Sequence, residues 1–208
     1  MVFDVKKIMP HERRELSKEI QESYVAHYAK IMQERFNYAR TPENAAVFDR
    51  IAAYIGVWYA ARKGQCDYPE RGLFLFGESG TGKTTAMQIF SGLCEVDYIT
   101  VGELTKRFAL GSFKLFWTIA DEYANVPLII DDLGCEDFTK SYGNDIPLAD
   151  FIREREIAWL EKGICTFFTS NAKSRDDVIK RYGESVCSRL LGMCDFIQFK
   201  GNDNRLKR

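Results

Sequence analysis

Histidine is nearly missing from this sequence. His11 and His27 are the only two in 208 residues, and both lie upstream of every cysteine. The six cysteines, Cys66, Cys94, Cys135, Cys165, Cys187 and Cys194, form no CxxC pair. A metal centre built from Cys and His is therefore not expected. Scattered thiols in apolar surroundings read instead as small core hydrophobes of a reducing, cytoplasmic compartment. Net charge is also lacking: 29 Lys and Arg against 30 Asp and Glu leave −1. No global field draws the chain to nucleic acid or to a membrane, so any DNA contact must use a local patch. No apolar run approaches the roughly 20 residues of a membrane span, and the stretch HERRELSKEIQE is charged throughout, so neither a signal peptide nor a transmembrane helix is expected. Repeats and low-complexity segments are absent as well. What is present, 46% hydrophobic and 28% charged residues, suits one α/β domain with an extension.

The chain is organised around residues 73 to 85, where the apolar strand LFLF runs into GESGTGKTT. Gly77, Gly80, Gly82, Lys83 and Thr84 fit the spacing G-x-x-x-x-G-K-[ST]. Glycines free of Cβ let the backbone N–H groups of Gly77, Glu78, Ser79, Gly80, Thr81 and Gly82 curl around a β-phosphate, and the following helix adds its positive end. Lys83 is expected to reach the β- and γ-phosphates, and Thr84 to place its hydroxyl on Mg²⁺, with Thr85 behind it in the first turn. ATP and Mg²⁺ are the ligands implied.

Upstream, Leu16, Ile20, Tyr24, Tyr28, Met32 and Phe36 recur every fourth residue through a charged segment, which predicts a helix with one apolar stripe. It either docks on its own domain or serves as a partner-binding arm. A second helix is expected to begin with Thr41 as N-cap, Pro42 at the first helical position and Glu43 beside it. Phe48, Ile51, Ala52, Ile55 and Trp58 line its inner face, and Arg62, Lys63 and Gly64 stop it. The connector GQCDYPER marks the boundary between a helical N-terminal extension (1–65) and the nucleotide domain (66–208). From Gly72 onward, strands are predicted at 72–76, 96–101, 127–131, 164–169 and 195–199 with helices between them, the pattern of a five-stranded parallel sheet covered on both faces.

VPLIIDDLG (126–134) is an apolar strand ending in two carboxylates, and it is free to lie beside the first strand. Asp131 is expected to hold Mg²⁺ through water beside Thr84, and Asp132 to orient or deprotonate the attacking water. The later strand CTFFTSN brings Ser170 and Asn171 to the same sheet edge. Asn171 either polarises that water or caps the helix that follows. Arg181 and Arg189 flank a helical turn, and each is either a surface ion-pair residue or a cation for a γ-phosphate, where it would stabilise developing charge.

Taken together, RGLFLFGESGTGKTT, LIIDDLGCED, TFFTSN, YGESVCSRLLGMC and FKGNDNR span about residues 71 to 205 and resemble AAA+ ATPases of the helicase-loader kind, the DnaC/DnaI and IstB-like group, particularly those of phages and mobile elements. The resemblance implies a P-loop NTPase fold of the AAA+ (ASCE) type, with Walker A at Gly77 to Thr85, Walker B at Asp131 and Asp132, sensor 1 at Asn171 and an arginine finger at Arg189. It also implies a replicative, DnaB-like helicase and single-stranded DNA as partners, with a homo-oligomer joined through the finger. Arg205 stands near a phosphate or a neighbouring subunit in that scheme. Aspartate replaces the glutamate common at position 132, so slow, assembly-stimulated turnover is expected, and Glu136 is a substitute base. The chain stops after the fifth strand, leaving no room for a helical lid.

The leading function is therefore an ATP-dependent helicase loader. The alternatives are an IstB-like transposition ATPase acting with a transposase and, less expected, a small-molecule phosphotransferase. A GTPase is disfavoured because no NKxD motif follows the loop. Lys106, Arg107 and Lys114, interleaved with Phe108, Phe113, Phe116 and Trp117, are either a stacking surface for unpaired bases or core-facing amphipathic helices.

Overall fold

The structure, a computed structural model, describes residues 14–38, 40–42, 44–109, 113–135 and 147–200. Five parallel strands, β1 (Gly72–Gly77), β2 (Asp97–Thr100), β3 (Leu128–Leu133), β4 (Thr166–Ser170) and β5 (Cys194–Phe199), form one sheet in the order β2-β3-β4-β1-β5. Each predicted strand is present within one or two residues at its ends. The two-carboxylate strand, which was free to lie beside the first, does not: β4 separates β3 from β1. Burial explains this. All five residues of β4 are buried, as a strand flanked and covered on every side requires, whereas β2 and β5 carry exposed positions and form the edges.

Alternation along the strands builds two cores. Leu73, Leu75, Ile129, Phe167 and Ile197 face α2 (Ala45–Arg62) and α3 (Lys83–Cys94). Phe74, Ile99, Ile130 and Phe168 face α4 (Val101–Ala109), α5 (Phe113–Tyr123), α6 (Pro147–Lys162) and α7 (Arg175–Met193). Trp58 of α2 meets Phe90 of α3 and Phe167 of β4 at 5.4 Å between ring centroids, and Phe90 meets Phe167 at 4.8 Å. Buried rings of this size stabilise by about 1.5–3 kcal/mol each, so α2 is held firmly to the sheet.

The first helix, α1 (Lys18–Phe36), docks on α2 rather than standing free: Tyr28 and Met32 are buried in the same core. Gly56 permits the approach, since a Cβ there would lie 2.6 Å from Tyr24 Cβ. The expected stripe is buried at Leu16, ahead of the helix, and at Tyr28 and Met32, with Ile20 47% and Phe36 39% exposed. A four-residue repeat on a helix of 3.6 residues per turn drifts by about 40° per step, so within the helix Ile20 and Phe36 rotate off the contact made by Tyr28 and Met32. The second helix also starts later than expected, at Ala45. The backbone N–H of Thr41 donates to Asn44 Oδ1 (2.7 Å) and that of Asn44 to Thr41 Oγ1 (3.4 Å), a reciprocal pair that closes a turn ahead of the helix. Glu43 lies outside the described residues. Among the described residues no helix is long and apolar enough to cross a membrane. The six cysteines are free, five of them buried and Cys135 exposed.

Candidate nucleotide site

The strand β1 ends at Gly77, whose φ is 136° and where a Cβ would meet Phe199 O at 2.2 Å, so no other residue fits. The chain then turns through Gly80 (φ 74°) and Gly82 (φ 102°) into Lys83, the first residue of α3. Thr81, buried, donates to Glu78 O at 2.9 Å and braces the loop. Glu78 and Ser79 are exposed, as is Thr85 on the outer side of the first turn. Lys83 is only 4% exposed, and its Nζ donates to Gly77 O (2.9 Å) and Glu78 O (2.7 Å). The ammonium thus rests on the loop's own carbonyls, at the foot of a helix whose first N–H groups lack intrahelical partners.

Asp131 stands opposite, 1% exposed. Its Oδ1 accepts from Thr84 Oγ1 at 3.2 Å and from Thr169 Oγ1 at 2.5 Å, and its Oδ2 accepts from Tyr98 Oη at 2.6 Å. Three hydroxyls thus converge on one buried carboxyl group. Burial, and next the bond to Asp131, push the Tyr98 phenol well above its ordinary pKa, so it stays a donor. A buried carboxylate beside a threonine hydroxyl fits a divalent cation of the Mg²⁺ kind, which takes one or two carboxylates plus phosphates and water. Thr84 and Asp131 are the residues that would hold it.

Asp132 follows in the left-handed region at φ 62°. Between Ile130 and Leu133 the β3 strand carries an extra residue, since Ile130 pairs with Phe168 and Leu133 with Ser170. This bulge is held by the N–H of Asp132 donating to Thr169 Oγ1 (2.9 Å) and that of Cys135 donating to Asp132 O (3.0 Å). A non-glycine residue in this region is sparsely populated backbone, which the surrounding hydrogen bonds maintain.

Asn171 follows the end of β4 and is exposed; its amide donates to Cys135 Sγ at 3.5 Å. It does not cap the next helix. Ser174 does so in a capping box with Asp177, whose carboxyl the N–H groups of Lys173 and Ser174 hold below its usual range. Arg181 lies over Gly134 at the end of β3, and its guanidinium reaches the Tyr182 ring at 5.9 Å. Arg189 follows the kink at Gly183 (φ 85°) in α7 and forms a half-buried ion pair with Glu156 of α6. Its ion-pair partner lies on α6, not on the glycine-bearing loop or β3. Glu136 and Arg205 lie outside the described residues.

Of the proposed stacking surface, Phe108 and Phe116 pack on each other at 5.5 Å, and Phe108 also packs on Phe151, which is the core-facing alternative. Arg107 is engaged by Glu122 at 2.5 Å, whereas Lys106 is exposed and Trp117 is 41% exposed. The side chains of Phe113 and Lys114 lie outside what is described. Sequence reasoning missed Tyr98, Thr169 and Tyr38. Tyr38 is buried, stacks on Phe48 at 5.8 Å, and has its ring 2.8 Å from where a Cβ on Gly82 would stand.

No protein-family model matches the sequence, and no curated protein matches it. Solved structures do share its fold. A candidate primosome component from Streptococcus pyogenes serotype M3 superposes with a TM-score of 0.55 at 22% identity, over 79% of this chain and 84% of that one. The DnaC helicase loader superposes with a TM-score of 0.53 at 16% identity, over 88% of this chain and 100% of that one. The chain therefore has a P-loop NTPase fold, in the arrangement found in the DnaC helicase loader.

Proposed function

We propose that the chain binds and hydrolyses ATP with Mg²⁺ as an AAA+ ATPase and acts as a cytoplasmic helicase loader in DNA replication. The observation that carries this reading is the meeting of Lys83, Thr84 and the buried Asp131 at one sheet edge. In the nucleotide complex Lys83 exchanges its two loop carbonyls for β- and γ-phosphate oxygens, and the N–H groups of residues 77–85 hold the β-phosphate. Thr84 and Asp131 would hold Mg²⁺, which would neutralise charge on the phosphates. Asp132, lifted by the bulge, orients or deprotonates the attacking water, with Glu136 as the substitute. Asn171, at the neighbouring strand end, polarises that water.

Arg189 belongs to a neighbouring subunit's reaction in this scheme. On assembly it leaves Glu156 for the γ-phosphate across the interface, so turnover is slow in the isolated chain and rises with oligomerisation. Single-stranded DNA and a DnaB-like helicase are the proposed partners. The test is affinity capture on the wild-type chain, with mass measurement with and without ATP and Lys83→Ala as the control that should not respond to ATP, alongside turnover of Arg189→Ala. Capture of a helicase and an ATP-dependent multimer agree with the loader, while capture of a transposase selects the IstB-like alternative. Stimulated turnover left intact by Arg189→Ala contradicts the finger.

A further inference from the structure

The carboxylate of Asp131 offers about four lone-pair sites on its two oxygens, and three are already taken. Both partners of Oδ1, Thr84 and Thr169, come from elements the phosphate loop and its neighbouring strand end bring there. Among the described residues the one partner of Oδ2 is Tyr98 Oη at 2.6 Å, from the edge strand β2, outside the loop and strand motifs identified above. We propose that Tyr98 is a positioning residue for the metal-holding carboxylate: its phenol pins Oδ2 so that the last open lone pair faces the metal's water, and this sets the affinity for the divalent cation in the nucleotide complex.

Register and packing make the donor rigid. Tyr98 pairs with Ile129, so it shares a face with Ile129 and with Asp131 two residues on, within the diagonal reach of a long side chain. That face is the α3 side, where the Tyr98 ring packs against the core built by α2, α3 and Ile129. A phenol held by its ring keeps one hydroxyl position, which a water at the same place would not. Without that bond Oδ2 would have two open lone pairs and the carboxylate could rotate about its Oδ1 anchors. Groups that orient metal ligands in this way commonly change metal affinity by 10- to 100-fold when removed.

The inference rests on the nucleotide reading above, and one titration separates the two. A fluorescent ATP analogue is bound to the full chain in EDTA and at rising Mg²⁺, for wild type and Tyr98→Phe, which keeps the ring. The expected result is equal affinity in EDTA, with Tyr98→Phe needing about tenfold more Mg²⁺ to reach the wild-type enhancement. Superimposable Mg²⁺ curves overturn the positioning role. So does an equal loss of affinity with and without metal, or failure of the variant to fold, since either assigns Tyr98 to structure alone. A wild-type chain that binds no analogue removes the nucleotide reading itself.

Discussion

Two buried cations stand at opposite ends of the sheet, and they are held in different ways. Lys83, at the carboxyl end of β1, donates to two carbonyls of a glycine-bearing loop. Arg155, 1% exposed, lies where β3 and β4 begin and donates to Thr166 Oγ1 at 2.8 Å, to Val126 O at 3.0 Å, to Tyr123 O and to Cys165 O. Burial pulls its guanidinium down to about 10, yet the planar fork is matched by fixed acceptors at the end of α5, ahead of β3 and at the start of β4. Arg155 is therefore a staple. Lys83 rests on loop carbonyls that phosphate oxygens can replace as its acceptors. A buried charge reports its role through the rigidity of what it is bonded to.

The sharpest way to break this comparison is to truncate both residues. Arg155→Ala strands backbone carbonyls at the base of the sheet and should cost about 3–5 kcal/mol, lowering the melting temperature by roughly 10 °C. Lys83→Ala should move melting by less than about 1 kcal/mol, because loop carbonyls at a sheet edge can be hydrated. Comparable melting losses for the two would erase the distinction.

Gly82→Ala comes next. It places a methyl 2.8 Å from the Tyr38 ring at a backbone φ of 102° and should cost about 1–3 kcal/mol, only part of which Tyr38→Leu recovers. Full recovery in the double variant, read by chemical denaturation, would show that the backbone itself carries no strain. Ser174→Ala, which removes the α7 cap, should cost about 1 kcal/mol.

The smallest effect concerns pH. The folded carboxyl of Asp177 lies below its unfolded value, so its contribution is present above the ordinary aspartate range near pH 4 and is lost as pH falls through the folded value. The stability difference between wild type and Asp177→Asn should therefore shrink in acid, and a difference that grew would reverse the assignment.

The strands were legible because uninterrupted apolar runs such as LFLF and TFFT fit only a sheet covered on both faces. Their order was not, since nothing in a run of buried residues names its neighbour, and β4 came between the two motif strands. In the site, Lys83, Thr84 and Asp131 follow from spacing within short segments. Tyr98 and Thr169 reach Asp131 across strand pairs, 33 and 38 residues away in sequence, and only the register reveals them. Arg155 was hidden for a related reason: in FIREREIAW it reads like its charged neighbours Arg153, Glu154 and Glu156 on a solvated helix face. The α1 stripe was visible, but helical drift turned Ile20 and Phe36 outward.

Calorimetric titration of the full chain with ATP tests the central claim most directly. One nucleotide should bind per chain, more tightly with Mg²⁺ than with EDTA, and Lys83→Ala should weaken binding about a hundredfold while keeping its melting transition. Undiminished binding by a folded Lys83→Ala chain, or no binding by wild type at millimolar ATP, would contradict it.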